Sequence, residues 1–150
     1  MTKLRRTLRR MEEEITEGVA SEIETVAKTV EQNMLGMVPV DEGDLASVIA
    51  YKIGRDGFSA VIGPGAGSAQ IKKGLGLSAQ KYLKGGGVTA ATARNNFIRL
   101  QLYKAHWIEY GTRNVPARPF IQPAWDVNKD QFRRQVRRAV DIAIGKAADG

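Results

Sequence analysis

Hydrophobic positions three or four residues apart dominate the start of the chain and predict one long amphipathic helix, because this spacing places them on one helical face. Gly36 and Pro39 follow the repeat and predict that the helix ends near Leu35. Such a helix spans about 45 Å, more than a core of this size requires, so we expect part of it to project or to pack on a neighbour. The repeat consists of Leu4, Leu8, Met11, Ile15, Val19, Ile23, Val26, Val30 and Met34.

Shorter hydrophobic runs predict a small antiparallel sheet. Residues 45–53 and 58–62 flank a turn-forming Gly-Arg-Asp-Gly sequence, which predicts a β-hairpin. Residues 97–103 alternate between hydrophobic and polar side chains and predict a third strand with one buried face. Residues 105–110 are compatible with a fourth strand or with a short helix.

The last part of the chain has the pattern of a second amphipathic helix, with hydrophobic positions between Phe132 and Ile144. Asp126 and Asn128 are its candidate N-terminal caps. The opposite face is basic and is interpreted as solvated, with contact to phosphate or to a partner's carboxylates as the alternative. Its arginines are Arg133, Arg134, Arg137 and Arg138. We therefore predict one α+β domain over residues 1–150, with three or four strands, a long N-terminal helix and a C-terminal helix.

A glycine-rich segment, residues 64–96, is predicted to be a long flexible loop inserted between strands. Loops of this length inside a compact domain are usually functional or become ordered on assembly. Glycine-rich turns can also bind phosphate, but no Gly-Lys-Ser/Thr follows at the spacing of a nucleotide-binding loop. We predict no cofactor.

The net charge of +7 comes from one region, since residues 57–108 contain seven basic residues and no acidic one, whereas the rest of the chain is balanced. A field of one sign indicates either an acidic partner, such as DNA or a neighbouring protein ring, or simply a solubilising loop. The basic residues assigned to the flexible loop are Lys72, Lys73, Lys81, Lys84 and Arg94.

Several classes of protein are disfavoured. The chain has no cysteine, which excludes disulfides and thiolate metal sites and fits folding in a reducing cytoplasm. No hydrophobic run approaches the roughly 20 residues of a membrane span. His106 and Glu109 could form an acid–base pair, but no nucleophile motif accompanies them. We predict no catalysis and no metal site, and we interpret His106 as a partly buried or interface residue.

The most constrained segment is residues 106–125, HWIEYGTRNVPARPFIQPAW. Its three prolines fix φ and remove backbone donors, so it cannot form one regular helix or a central strand. Aromatic and arginine side chains on a rigid backbone are typical of subunit contacts. The interface residues predicted here are Trp107, Glu109, Tyr110, Arg113, Arg118, Phe120 and Trp125.

Two blocks of sequence resemble a known family. IEYGT followed by PARPFIQPA, at 108–112 and 116–124, is similar to the motif of small head-to-tail joining and tail-completion (neck) proteins of long-tailed bacteriophages and prophages. VPVDEGDL at 38–45 resembles a second element of that family, with Glu42 where Thr is common, and Gly63-Pro64 resembles the end of its early hairpin.

The resemblance implies a structural virion protein that forms a ring at the end of the tail or between tail and head. The similar proteins favour a hexamer, with a dodecamer as the alternative, contacting connector or stopper subunits, the tail tube and DNA in the lumen. The exact station is left open among adaptor, stopper, completion and terminator. A basic nucleic-acid-binding module is the rival interpretation, drawn from the charge pattern.

Arg118 lies between two prolines, so its backbone orientation is largely set before any contact forms. We expect its guanidinium to bind a carboxylate, with Glu109 the nearest candidate in sequence, within the subunit or across the ring.

Overall fold

The computed structural model describes residues 3–39, 43–66 and 90–148. Helix α1, Lys3–Met37, is followed by a short 3-10 turn at Ala46–Val48 and by strands β1, Ile49–Ile53, and β2, Ala60–Pro64. Helices α2, Ala90–Tyr110, and α3, Ile121–Ala148, complete the described fold. The predicted α+β class, the long first helix and the helical C-terminus are confirmed.

The predicted hairpin is confirmed, with β1 and β2 antiparallel and Ile49 opposite Pro64. In its turn, the carboxylate of Asp56 accepts a hydrogen bond from the Phe58 amide at 3.1 Å. Gly57 has a φ of 73°, which suits a residue without a Cβ. The hairpin lies along α1, and the Tyr51 hydroxyl is 3.5 Å from the Glu24 carboxylate.

The core lies beside the C-terminal half of α1. All the buried residues assigned to this helix fall between Val19 and Met34, whereas its first fourteen described residues contribute none to the core. Helix α3 packs antiparallel to α1, with Ala139 beside Gly18 and the start of α3 beside the end of α1. The largest buried side chains are Phe97 of α2 and Phe120, just before α3.

The predicted third strand is wrong, because residues 97–103 lie within helix α2. Phe97, Gln101 and Ala105 are buried at a spacing of four, whereas Leu102, which the alternating pattern places on the buried face of a strand, is exposed. The surrounding Ala, Arg, Leu, Gln and Lys residues are good helix formers. Residues 105–110 continue the same helix, so the sheet has two strands within the described ranges.

Helix α3 begins before its predicted caps. Pro123 falls in its first turn, where a missing N–H breaks no helical hydrogen bond. Asn128 lies inside the helix and its side-chain amide donates to the Ala124 carbonyl oxygen at 2.7 Å. Asp126 likewise lies inside, bonded to Gln122 and Lys129, so neither residue is the N-cap.

Part of the segment predicted to be a loop, residues 64–96, is regular structure, since residues 90–96, including Arg94, belong to α2 and Pro64 ends β2. Lys72, Lys73, Lys81 and Lys84 lie outside the described residues, as do Asp41 and Glu42. Within the described ranges, none of the helices combines the length and the hydrophobicity that crossing a membrane requires.

Candidate interaction surface

Glu109 joins α2 to α3. One carboxylate oxygen accepts the backbone N–H groups of Phe120 and Ile121 at 2.8 and 2.9 Å, and the other accepts that of Gln122 at 2.9 Å. These N–H groups belong to the start of α3, where no preceding turn supplies a partner and where the helix dipole favours an anion. Glu109 therefore caps α3 from a distant point in the chain.

The connection between the two helices is also held by its backbone. Gly111 leaves α2 with a φ of 75°, and Thr112 and Val115 then exchange backbone hydrogen bonds at 2.8 and 3.4 Å. The Arg118 N–H donates to the Ile108 carbonyl oxygen at 2.7 Å, which ties the proline-rich stretch back to the end of α2. The segment is rigid because its prolines and these hydrogen bonds constrain it together.

Gly111→Ala is expected to lower the free energy of unfolding by about 2–4 kcal/mol, because positive φ strains the new residue and its Cβ meets a packed backbone. That Cβ would lie 2.8 Å from the Ala117 nitrogen and 2.9 Å from the Val115 oxygen. Urea denaturation measures the change. Gly36→Ala is the control: its Cβ would meet nothing within 4 Å, and the helix should gain about 0.5–1 kcal/mol. Equal effects from the two substitutions would contradict the prediction.

The predicted interface residues divide into an inner and an outer group. Glu109 and Phe120 are buried inside the subunit, at 7% and 0% exposure. The expected Glu109–Arg118 pair does not form within the subunit, since the Glu109 carboxylate is taken up by the α3 backbone and the two side chains make no ion pair. The outer group comprises Trp107, Tyr110, Arg113, Arg118 and Trp125, all exposed.

Four ring side chains of α2 form an exposed stripe that we term the α2 aromatic face: Tyr103, His106, Trp107 and Tyr110. The rings of His106 and Tyr110 are 4.9 Å apart and those of Tyr103 and Trp107 are 6.4 Å apart. His106 is exposed rather than partly buried, because it points to the same side as Tyr110. The strand prediction could not reveal this face, because residues three or four positions apart lie on one side of a helix but not on one side of a strand.

A groove of about 640 Å³ opens beside this face, between α2, the proline-rich stretch and the turn that precedes β1. Its lining includes Gln101, Lys104, Trp107 and Arg118. Gln101 is 1% exposed, and neither its side-chain nitrogen nor its oxygen has a hydrogen-bond partner in the described part of the chain. Sequence reasoning missed Gln101 because the strand prediction placed this residue on the solvent-exposed face.

The charged side chains of α3 discussed here, Asp126 and the four arginines, are exposed to solvent. Hydrogen bonds from Lys129 and Gln122 lower the pKa of Asp126, which keeps it anionic on α3. The four arginines of the C-terminal helix are exposed, as predicted, and Arg133 lies 3.6 Å from Asp130. Among the described residues, no group of three or more His, Cys, Asp or Glu side chains is arranged to hold a metal ion.

The chain was compared with known proteins. A family model described as "Bacteriophage HK97-gp10, putative tail-component" matches residues 2–111. The match spans α1, the hairpin and α2 and ends at Gly111, while α3 lies beyond it. No curated protein and no solved structure shows a significant match. With nearly three-quarters of its length matched, the chain belongs to the HK97-gp10-like family of bacteriophage tail components.

Proposed function

We propose that this phage tail protein assembles into a closed ring at the head-proximal end of the tail, where it completes the tail or joins it to the head connector. The observation that supports this most is the α2 aromatic face, whose Trp107 and Tyr110 are 49% and 73% exposed. Exposed aromatic side chains beside arginines are enriched at protein interfaces. A ring repeats one such heterologous contact until rotation closes it. The expected ring is a hexamer, with a dodecamer as the alternative.

Rigidity supports the same assignment. Arg113 and Arg118 project from a segment that Glu109 and the Gly111 turn hold in place, so little conformational entropy is lost when these side chains bind. Because Glu109 is engaged inside the subunit, we expect the carboxylate for Arg118 to come from a neighbouring copy across the ring. The first half of α1 offers candidates in Glu12, Glu13 and Glu17, which are exposed.

Arg118→Ala is expected to weaken assembly by about 2–5 kcal/mol, because truncating a desolvated ion pair strands the partner charge, whereas an exposed pair contributes about 0–1 kcal/mol. Arg118→Lys should also weaken it, since lysine cannot form a bidentate contact. Sedimentation velocity over a concentration series measures ring formation, and a thermal melt establishes that the monomer is folded.

Arg134→Ala serves as the matched control for this experiment. Arg134 is an exposed arginine of α3 outside the proline-rich segment, so its loss should leave assembly unchanged. Wild-type assembly by a folded Arg118→Ala protein would refute the interface role of this residue.

A second candidate function, nucleic-acid binding, is favoured by the four exposed arginines of α3. Phosphate binding through them would weaken steeply as salt is raised, because each neutralised phosphate releases counterions. Replacing Arg134 and Arg138 together should then reduce the dependence of DNA affinity on salt without altering ring formation. Absence of DNA binding would exclude this function, and binding that is insensitive to both salt and these substitutions would exclude the α3 arginines as its site.

A further inference from the structure

The groove beside α2 contains a buried polar group that the fold does not use. Gln101 lies on the helix face that carries Phe97 and Ala105, both buried and apolar. Gln101 is among the residues that line the groove, and its buried Nε2 and Oε1 atoms lack hydrogen-bond partners among the described residues. Buried donors and acceptors without partners destabilise a protein, and native structures hold few of them. A ligand that supplies both an acceptor and a donor would account for Gln101.

The rim of the groove carries an excess of positive charge. Lys104 and Arg118 line it and take part in no ion pair within the described part of the chain. Asp44 also lines it, and this aspartate has an interaction of its own. The formal net charge of these three side chains is +1, which favours a ligand that carries a carboxylate. Trp107 and Leu45 supply apolar walls.

We propose that the groove binds an extended acidic peptide segment of a partner protein. In an extended segment, the N–H and the C=O of one residue lie on the same edge of the chain and match the acceptor and the donor of the Gln101 carboxamide. An Asp or Glu side chain of the same segment then reaches Lys104, and an apolar side chain packs on Trp107. The volume of about 640 Å³ lies within the range of protein ligand sites.

Within the described residues, this chain offers no extended acidic segment that could occupy the groove of a second copy. Nearly all described acidic residues here lie in α1, α2 or α3, where backbone groups are already bonded within the helix. The two described acids outside helices are Asp44, in the groove itself, and Asp56, whose carboxylate is engaged in the hairpin turn. The proposal rests on the groove alone and holds whatever the ring symmetry.

The test is a selection of linear eight-residue peptides from a random library on the full-length protein, followed by affinity measurement on variants. Selected peptides should contain Asp or Glu. Gln101→Met, which keeps the shape of the side chain, should weaken them about tenfold or more and raise the melting temperature, since an apolar group replaces unpaired polar atoms. Gln131→Met, at an exposed position of α3, should change neither quantity.

Lys104→Ala provides a second measurement that leaves the buried face intact. It should weaken acidic peptides several-fold and leave peptides with Gln or Asn in place of the acid unchanged. N-methylation of one peptide bond should abolish binding, because it removes the donor to Gln101.

Three outcomes would overturn the proposal. The first is that no selected peptide depends on Gln101, and the second is a lower melting temperature for Gln101→Met, which would reveal a structural partner. The third is Gln101-dependent binding of a single-stranded oligonucleotide in place of peptides. Unchanged ring formation by Gln101→Met would separate this site from the assembly surface.

Discussion

Glu109→Ala is expected to lower the free energy of unfolding by about 3–5 kcal/mol, because it strands three N–H groups at the start of α3 in a buried position. In the wild type all three bond to the Glu109 carboxylate at 2.8 to 2.9 Å. Helix α3 has no acidic residue in its first turn that could replace it. Urea denaturation followed by circular dichroism measures the loss.

Two controls distinguish the loss of the Glu109 capping hydrogen bonds from the general effect of removing a negative charge. Glu109→Gln keeps one acceptor oxygen but turns an amide donor toward backbone donors, so its effect should be smaller than that of alanine yet clearly destabilising. Glu13→Ala removes an exposed carboxylate from α1 and should change stability by no more than about 0.5 kcal/mol. An effect of Glu109→Ala as small as that of Glu13→Ala would show that the capping bonds do not stabilise the fold.

Phe120→Ala is the second substitution with a large expected effect, about 3–5 kcal/mol of unfolding free energy, because it leaves a cavity where a fully buried ring stood. Phe120 is 0% exposed and belongs to the core cluster with Val30 and Phe97. Phe58→Ala is the matched control, since Phe58 is half exposed in the hairpin turn and its loss should cost less than about 1 kcal/mol. Similar losses from the two would contradict the assigned core.

These two effects are distinct because Phe120→Ala retains the backbone N–H that Glu109 accepts. The residues are nevertheless in one network, so the double variant should depart from additivity. Both substitutions act on the same junction between α2 and α3. This junction sets the position of Arg113 and Arg118, and weakening it should therefore reduce assembly even at temperatures where the monomer stays folded.

The segment around Gly111 contains two groups of side chains within a few residues. Its inner side chains, Glu109 and Phe120, hold the subunit together. Its outer ones, including Tyr110 and Arg118, are exposed, and these are the residues that we propose contact other subunits. The sequence alone does not show which of these side chains belong to the buried group and which to the exposed group, since both groups contain charged and aromatic residues.

Local sequence patterns were sufficient to predict several elements of the structure. The repeat from Leu8 to Met34 predicted the end of α1 to within two residues. Hydrophobic residues spaced three or four apart directly reflect a helix that buries one face. The Gly-Arg-Asp-Gly turn predicted the hairpin because its conformation depends on local backbone freedom. The motif around Gly111 indicated the phage tail family, which the match over residues 2–111 bears out.

Only the tertiary structure decided the character of α2 and the origin of α3. Residues 97–103 fit a two-residue alternation as well as a helix, and the burial of Phe97, Gln101 and Ala105 at a spacing of four selects the helix. The start of α3 lacks a local cap, and its partner, Glu109, is eleven residues before Phe120. Spacing along a chain records which residues can share a face, whereas caps and unpaired buried groups such as Gln101 depend on which segments meet in space.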